Sequence, residues 1–211
     1  MTSFFVCGTD TGVGKTVVTG LLAKTLLDQG YSVITQKWVQ TGSKGFPQDI
    51  STHLKLMGKT KSYVKGLLDL VCPYVFKYPA SPHLAAKLEG KKVEVRKIKS
   101  DYKKLCGMFD IVIVEGIGGA LVPLNERTLL LDVVKELKIP VILVVGNRLG
   151  AINHSLLTSE AIKKRGLTIA GVVFNEVVKN DNKIGKDNPA VIMKQLGIKN
   201  SVILPCLPGL K

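Results

Sequence analysis

A glycine-rich segment near the start of the chain has the residues of a phosphate-binding loop. Gly8–Thr16, with the sequence GTDTGVGKT, lies between a short apolar run and an amphipathic segment. In a strand–loop–helix unit of this kind, backbone N–H groups of the loop and of the helix N-terminus face an anion. Lys15 can reach the outer phosphates, and the Thr16 hydroxyl is placed to bind Mg²⁺. The spacing is unusual because Thr9 stands where glycine is common, but a mere packing turn would not explain Gly-Lys-Thr at this junction.

A second candidate is Lys37, which ends the next apolar run, in Gln36-Lys37-Trp38-Val39. A lysine at the carboxyl end of a strand beside a phosphate site can offset the charge that develops in phosphoryl transfer. A solvent-exposed lysine is an equally good interpretation in a chain so rich in lysine, and the sequence leaves both open. Thr41 follows closely and could supply a hydroxyl contact.

The third candidate is Glu115, which ends the apolar run 111–114 and precedes the turn Gly116-Ile117-Gly118-Gly119. In P-loop proteins this strand end holds an acidic group of the magnesium site. We therefore predict that Glu115 binds the metal ion or a water molecule on it. The glycines allow the backbone to approach a ligand closely. Asp110, at the other end of the run, is expected to cap or to face solvent.

Three further segments end predicted strands. Leu149-Gly150-Ala151-Ile152-Asn153-His154 begins a helix whose free N–H groups can bind a carboxylate or a phosphate. Asn175, before Glu176, carries a donor and an acceptor that suit the edge of a purine. Pro205-Cys206-Leu207 forms a rigid loop that we expect on the same nucleotide side. His53, His83 and His154 have no metal-ligand spacing and are interpreted as packing or capping histidines.

The elements that must position these residues alternate along the whole chain. Val/Ile-rich runs typical of buried parallel strands alternate with helical patterns, which predicts a doubly wound, mostly parallel α/β sheet with helices on both faces. With no linker or repeat, we predict a single domain over residues 1–211. The predicted strands are Ser3–Cys7, Ser32–Trp38, Asp110–Glu115, Pro140–Val145, Thr168–Asn175 and Ser201–Leu204. The predicted helices are Lys15–Gln29, Asp49–Met57, Pro82–Glu89, Val95–Cys106, Leu129–Leu137, Ile152–Arg165 and Pro189–Leu196.

Composition narrows the class of protein. Apolar residues make up 45% of 211 residues, enough for a full core without disulfides or a structural metal. Four scattered cysteines, no signal-peptide pattern and no long apolar run indicate a cytoplasmic protein with reduced thiols and no membrane span. The net charge of +14 would suit nucleic acid, but the lysines are spread and lack interleaved aromatic residues. We therefore expect no nucleic-acid partner.

Taken together, these segments resemble the dethiobiotin synthetase family, the ATP-dependent ring-closing enzymes of biotin synthesis. The similarity runs from Phe5 to about Leu207, and Trp38 departs from it because the family usually has proline there. A strand end that bends differently is expected at that position. The segments that carry the resemblance are Gly8–Thr16, Lys37 with Thr41-Gly42, Pro73-Tyr74, Ser81-Pro82-His83, Val114–Gly119, Pro123-Leu124, Leu149–His154, Asn175 and the Pro205–Leu207 loop.

The resemblance implies a definite reaction. One amine of 7,8-diaminopelargonate takes up CO₂ as a carbamate, which attacks the γ-phosphate of ATP to give a mixed carbamic–phosphoric anhydride. The second amine then closes the ureido ring and releases phosphate. Lys15 and Lys37 would offset negative charge during these steps.

The resemblance also implies a role for each matching residue. Catalytic roles fall to Lys37, Lys15 and Thr11. Nucleotide contacts fall to Gly12, Val13, Gly14, Lys15, Thr16, Val17, Glu115, Gly116, Ile117, Gly118, Asn175, Glu176, Pro205, Cys206 and Leu207. Substrate contacts fall to Thr11, Lys37, Thr41, Gly118, Leu149, Gly150, Ile152 and Asn153, and Mg²⁺ ligation to Thr16, Asp49 and Glu115. Because the family binds the substrate carboxylate at the Gly150–Asn153 helix start of a second subunit, a homodimer with composite sites is implied.

Two alternatives share this class of P-loop. An amide-forming ligase of the cobyrinate-diamide-synthase type usually carries a glutaminase domain, for which 211 residues leave no room. A chromosome-partitioning type of ATPase switch carries a second lysine early in the loop, where this chain has Asp10. Neither accounts for the Leu149–His154 segment.

Overall fold

The computed structural model describes residues 2–176 and 182–207, and its centre is one parallel sheet. Six strands stand in the order β10-β9-β8-β1-β5-β2, and every neighbouring pair is parallel. The strands are β1 Thr2–Gly8, β2 Val33–Lys37, β3 Val39–Gln40, β4 Tyr74–Val75, β5 Ile111–Glu115, β6 Pro123–Asn125, β7 Thr128–Leu129, β8 Val141–Gly146, β9 Ile169–Asn175 and β10 Ser201–Leu204. The predicted α/β fold is confirmed.

The helices connect these strands. They are α1 Lys15–Asp28, α2 Gln48–Leu56, α3 Leu68–Val71, α4 Pro82–Leu88, α5 Val95–Cys106, α6 Leu130–Leu137, α7 Ala151–Lys163 and α8 Asn182–Leu196, with a 3₁₀ turn at Lys61–Val64. Alternate residues of β1 enter different apolar clusters: Phe5 lies in one and Val6 in the other. Because side chains alternate along a strand, each face of the sheet carries its own core. No helix of the described residues is long and apolar enough to cross a membrane.

Every predicted element except the helix from Pro189 agrees with the structure to within two residues, and the structure adds the short elements β3, β4, β6, β7 and α3. The predicted strand Ser32–Trp38 ends at Lys37 because Trp38 turns inward, with its ring 5.5 Å from that of Phe5. The strand therefore bends at Trp38, as expected, and Val39–Gln40 pairs with Tyr74–Val75 in a separate two-stranded sheet that the sequence did not predict. The helix predicted from Pro189 begins at Asn182 instead, because Asn147 Nδ2 donates to Gly185 O and holds the earlier turn.

The first two helices pack closely beside the phosphate-loop candidate. A Cβ added at Gly20 of α1 would lie 2.6 Å from Leu56 Cδ1 and 3.3 Å from the His53 Cα atom, both in α2. A glycine at this crossing therefore lets α2 approach α1 at backbone distance. This approach brings the inner face of α2 toward the carboxyl end of the sheet.

Candidate active site

The loop between β1 and α1 has the conformation of a phosphate cradle. Gly14 precedes the first helical residue in the left-handed region, with φ of 94°, so Lys15 begins α1 with its N–H groups free to face an anion. Lys15 Nζ donates to the Asp10 carbonyl at 2.8 Å, across the loop. A Cβ at Gly8 would lie 2.8 Å from that same ammonium, so glycine makes room for it.

Four polar side chains meet where β2 and β5 end. Glu115 Oε1 accepts hydrogen bonds from Thr16 Oγ1 at 2.9 Å and from Lys37 Nζ at 2.8 Å. Lys37 Nζ also lies 2.8 Å from Asp49 Oδ2 and donates to the Gly116 carbonyl at 2.8 Å. Lys37 and Glu115 are partners in the parallel register of β2 and β5, which explains their proximity. Of the two interpretations left open for Lys37, the solvent-exposed one is wrong, since Lys37 is only 3% exposed.

The electrostatic interactions within this cluster keep Lys37 and Glu115 ionised. Burial by itself would raise the pKa of Glu115, but Lys37 and the hydrogen bond from His53 outweigh it and lower this pKa to about 2. Burial would likewise lower the pKa of Lys37, and the carboxylates of Glu115 and Asp49 outweigh it, so this pKa is raised. Burial, followed by the charge of Lys37, lowers the pKa of Lys15. Lys37 is therefore held as a cation and Glu115 as an anion.

His53 belongs to this cluster, which the sequence did not show. Its ring is fully buried, with Nε2 2.7 Å from Glu115 Oε2 and Nδ1 3.1 Å from Thr35 Oγ1. His53 is packed, as the sequence suggested, but its contact with Glu115 was not predicted. The one signal in the sequence was its position four residues after Asp49, which places both side chains on one face of α2.

The oxygen donors of the cluster suit Mg²⁺. The Thr16 hydroxyl and the Glu115 carboxylate are in contact, and Asp49 faces the same lysine. Among the described residues no three His, Cys, Asp or Glu side chains form a metal-binding group. Such a partial set fits Mg²⁺ on a nucleotide, which usually takes one or two carboxylates together with phosphate and water oxygens.

The turn after β5 approaches the phosphate loop. Gly118 has φ of 60°, and a Cβ there would lie 2.9 Å from Val122 Cγ2 and 3.7 Å from Thr11 Oγ1. Thr11 is exposed, and its hydroxyl lies close to the Gly118 backbone. Thr41 directly follows β3, and its carbonyl accepts a hydrogen bond from Gln40 Nε2 at 3.3 Å.

The other strand ends line up on the far side of the loop. Asn175 Nδ2 donates to the Val13 carbonyl at 2.9 Å and would lie 2.0 Å from a Cβ at Gly14. Asn175 thus braces the phosphate loop, and its contact with a purine stays a prediction. Glu176 N donates to the Leu204 carbonyl at 2.9 Å, so the loop 205–207, with exposed Cys206, begins beside the end of β9.

The start of α7 is held near the phosphate loop, and several of its residues are exposed. Arg148 pairs with Asp10 at 3.3 Å, while Asn188 Nδ2 donates to Asn147 Oδ1 and to the Arg148 carbonyl, both at 3.0 Å. Gly150 caps α7 with φ of 87°. Leu149 is 82% exposed, and Gly150 and Asn153 are exposed, whereas Ile152 is half-buried. Three of these four predicted substrate residues therefore lie on the outer surface.

Solved structures share the architecture. A ParA-family ATPase from Chlorobium tepidum TLS superposes with a TM-score of 0.61 at 15% identity, over 98% of this chain and 85% of that one. The septum site-determining protein MinD from Pyrococcus horikoshii OT3, solved with Mg-ADP, gives a TM-score of 0.61 at 18% identity over 98% and 82%. At these identities the likeness shows the fold.

Sequence relatives are closer. A family model described as an AAA domain matches residues 2–211. ATP-dependent dethiobiotin synthetase BioD 2 of Pasteurella multocida is 42% identical over 92% of this chain and 90% of its own length. The BioD 2 enzyme of Haemophilus influenzae is 43% identical over 89% and 97%, and the BioD enzyme of Chlorobaculum tepidum 42% identical over 90% and 80%. With this identity over nearly its whole length, the chain belongs to the ATP-dependent dethiobiotin synthetase family.

Proposed function

We propose that this protein uses ATP to join 7,8-diaminopelargonate and CO₂ into dethiobiotin, releasing ADP and phosphate. The observation that carries the proposal is the cluster of Thr16, Lys37, Asp49 and Glu115 next to the phosphate loop, in a chain that belongs to the dethiobiotin synthetases. This cluster combines a buried cation with carboxylates at the place where a γ-phosphate would lie. The sequence relatives reported above are dethiobiotin synthetases, which favours this reaction over the amide-ligase and partitioning-switch alternatives.

The reaction divides into three steps. An amine nitrogen bonds to the carbon of CO₂ and loses a proton, which gives a carbamate. A carbamate oxygen then bonds to the γ-phosphorus as the bond to ADP breaks, which gives the mixed anhydride. Finally the second amine nitrogen bonds to the carbamoyl carbon, loses a proton, and phosphate leaves with its oxygen.

The two lysines would act on the charge of the second step. Lys15, at the start of α1, would bind the outer phosphates together with the N–H groups of Gly12–Val17. Lys37, held as a cation by its two carboxylate partners, would face the carbamate and the transferred phosphoryl group. Preorganised charges cost no reorganisation when the transition state forms, which makes them effective catalysts. Thr11, Gly118 and Thr41 would contact the diamine.

Mg²⁺ is part of this proposal. Thr16, Glu115 and Asp49 would hold it, and when bound it would neutralise phosphate charge and orient the γ-phosphate. The pairing of Lys37 with both carboxylates shows that each already faces a cation.

We also propose that two copies of the chain form a homodimer with composite sites. The start of α7 supports it, since Gly150 leaves helix N–H groups free and Leu149 is 82% exposed beside them. An exposed leucine next to an anion site suits a partner subunit whose substrate brings a carboxylate. The contacts of Leu149, Ile152 and Asn153 with substrate belong to this proposal, as does a cytoplasmic location, which the free thiols of all four cysteines support.

Product formation from labelled bicarbonate tests the proposed function. With ATP, Mg²⁺, diaminopelargonate and ¹³C-bicarbonate, we expect ADP release to depend on the diamine and one labelled carbon to enter a ring product detected by mass. Lys15→Ala serves as the inactive control. ADP release at the same rate without the diamine would point to an ATPase switch and contradict the proposal.

A further inference from the structure

The two oxygens of Glu115 are divided between two sides of the cluster. Oε1 accepts from Thr16 and Lys37 and therefore faces the phosphate loop. Oε2 lies 2.7 Å from His53 Nε2, on the side of α2. Glu115 is 2% exposed, so water cannot replace a missing partner for either oxygen without entering the core.

The His53 ring is itself fixed from behind. Its Nδ1 lies 3.1 Å from Thr35 Oγ1, a hydroxyl of β2 that is also buried. When Nε2–H donates to the carboxylate, Nδ1 can accept a hydrogen bond from the Thr35 hydroxyl, so each group of the chain Thr35–His53–Glu115 has a partner. Because an ionised carboxylate only accepts hydrogen bonds, Glu115 requires the N–H on Nε2, and the Thr35 hydroxyl serves as the partner of Nδ1.

The backbone of α2 also places His53 beside Glu115. α2 carries Asp49 and His53 one turn apart, so one helix presents a carboxylate to Lys37 and an imidazole to Glu115. Gly20 lets α2 come this close to α1, the helix that carries Thr16. The imidazole therefore stands on the opposite side of Glu115 from the Thr16 hydroxyl.

We propose that His53 is a positioning residue that holds Glu115 Oε2 and so aims Oε1 at the metal ion of the nucleotide. The inference rests on the proposed metal role of Thr16 and Glu115. Groups that hydrogen-bond a metal ligand fix its orientation, and their loss typically lowers metal affinity by about 10–100-fold. A histidine that only filled space would be replaceable by an apolar side chain of similar volume.

Two substitutions of His53 and two controls separate positioning from packing. His53→Leu removes the donor and keeps much of the volume, whereas His53→Gln keeps an N–H that can reach Glu115. Leu54→Ala is the matched control, because Leu54 is buried in the apolar core on the same helix. Glu115→Gln serves as the positive control for loss of a ligand.

The readout is the affinity for Mn²⁺ in the presence of ADP, measured from the free-ion signal in electron paramagnetic resonance, with ADP affinity in EDTA measured alongside. We expect His53→Leu to weaken Mn²⁺ binding by about 10-fold or more and to leave metal-free ADP affinity unchanged. His53→Gln should retain most of the Mn²⁺ affinity. Leu54→Ala should lower thermal stability and leave the Mn²⁺ affinity unchanged.

Wild-type Mn²⁺ affinity in His53→Leu would overturn the proposal, and so would equal loss in His53→Leu and His53→Gln. If His53→Leu does not fold, Thr35→Val against Thr35→Ser carries the same test, with loss expected for valine alone. If wild-type protein binds ADP equally well with and without Mn²⁺, both this inference and the proposed metal role are wrong. The proposed reaction would be unaffected, because its test is the ring product from labelled bicarbonate.

Discussion

Among the residues that the structure describes, Lys37 is the lysine with a buried ammonium group between two carboxylates. Its Nζ lies 2.8 Å from both Glu115 Oε1 and Asp49 Oδ2. Because the partners raise its pKa, it stays charged wherever the enzyme would work. A fixed cation at this point can stabilise a transferring phosphoryl group without the cost of recruiting one from solvent.

Lys37→Gln should therefore lower turnover by about 10²–10³-fold, as expected for the loss of one preorganised charge. ADP affinity should change little, because the phosphate loop and Lys15 remain. Stability should fall as well, since a buried carboxylate loses its partner, which typically costs about 3–5 kcal/mol. Steady-state kinetics at saturating substrates test the first expectation. Lys24→Gln, at an exposed ion pair with Asp28, is the control, and near-normal turnover in Lys37→Gln would rule out the role.

The lowered pKa of Glu115 predicts that the free energy of unfolding falls at acid pH. Its pKa is lowered from 4.5 to about 2 in the folded protein, so its contribution is complete above pH 4.5 and is lost as the pH falls toward 2. The difference corresponds to about 3 kcal/mol of unfolding free energy. Urea unfolding between pH 6 and 2 should show this loss in the wild type and a flatter profile in Glu115→Gln. Parallel profiles would contradict it.

The sequence predicted part of this cluster, for a physical reason. Thr16 and Glu115 are recognisable because each follows a strand at a fixed offset, and parallel strands end at one edge of the sheet. His53 was missed because its contact with Glu115 depends on how closely α2 packs against α1. That packing depends on Gly20, whose role appears only in three dimensions.

At the scale of elements, the start of α1 is locked to the end of β9. Asn175 Nδ2 donates to the Val13 carbonyl at 2.9 Å, and Gly14 leaves the space for it. The phosphate loop is therefore shaped by a residue that follows it by about 160 positions. A strand at the distal half of the sheet contributes directly to the shape of the anion site.

Gly14→Ala should lower stability by more than the strain of a left-handed backbone angle alone. The new Cβ would lie 2.0 Å from Asn175 Nδ2, at a φ of 94°. Gly30→Ala is the matched control, because Gly30 has φ of 91° with nothing within 4 Å. Left-handed strain alone costs about 1–2 kcal/mol, so Gly14→Ala should lower the free energy of unfolding by more than Gly30→Ala and also weaken ADP binding. Equal losses of stability, with ADP affinity intact, would contradict this.

The long elements were predictable and the short ones were not. Strands such as β5 and β8 consist of Val and Ile runs, whose burial on both faces leaves few alternatives. β3 and β4 have two residues each, and their pairing depends on where Trp38 finds space. Two residues carry no periodicity, so such a pair follows from tertiary packing alone.

At the scale of the whole molecule, the start of α7 makes the homodimer testable by mixing two inactive variants. Lys15→Ala removes phosphate binding, and Asn153→Asp places a negative charge beside the incoming carboxylate of the substrate. Each alone should be nearly inactive. After subunit exchange, heterodimers should regain one intact composite site and so a fraction of wild-type activity, measured as ring product.

Exchange must be demonstrated independently, by native mass spectrometry of subunits with different tags. A mixture that exchanges and yet stays as inactive as its parents would show that each site lies within one subunit. The single-domain interpretation of residues 1–211 stays a prediction, which limited proteolysis of the same samples would test.

The segment between β3 and α2 is closed at its base. Gln40 is paired to Val75 through β3 and β4, and Gln40 Oε1 accepts the Asp49 N–H at 3.1 Å. The eight residues between Gln40 and Asp49 thus form a loop whose two ends are joined by a hydrogen bond. Insertions or deletions there would change what the loop touches without moving Lys37 or Asp49. Natural variation can therefore change the length and surface of this loop while the Lys37–Asp49 pair at its base stays in place.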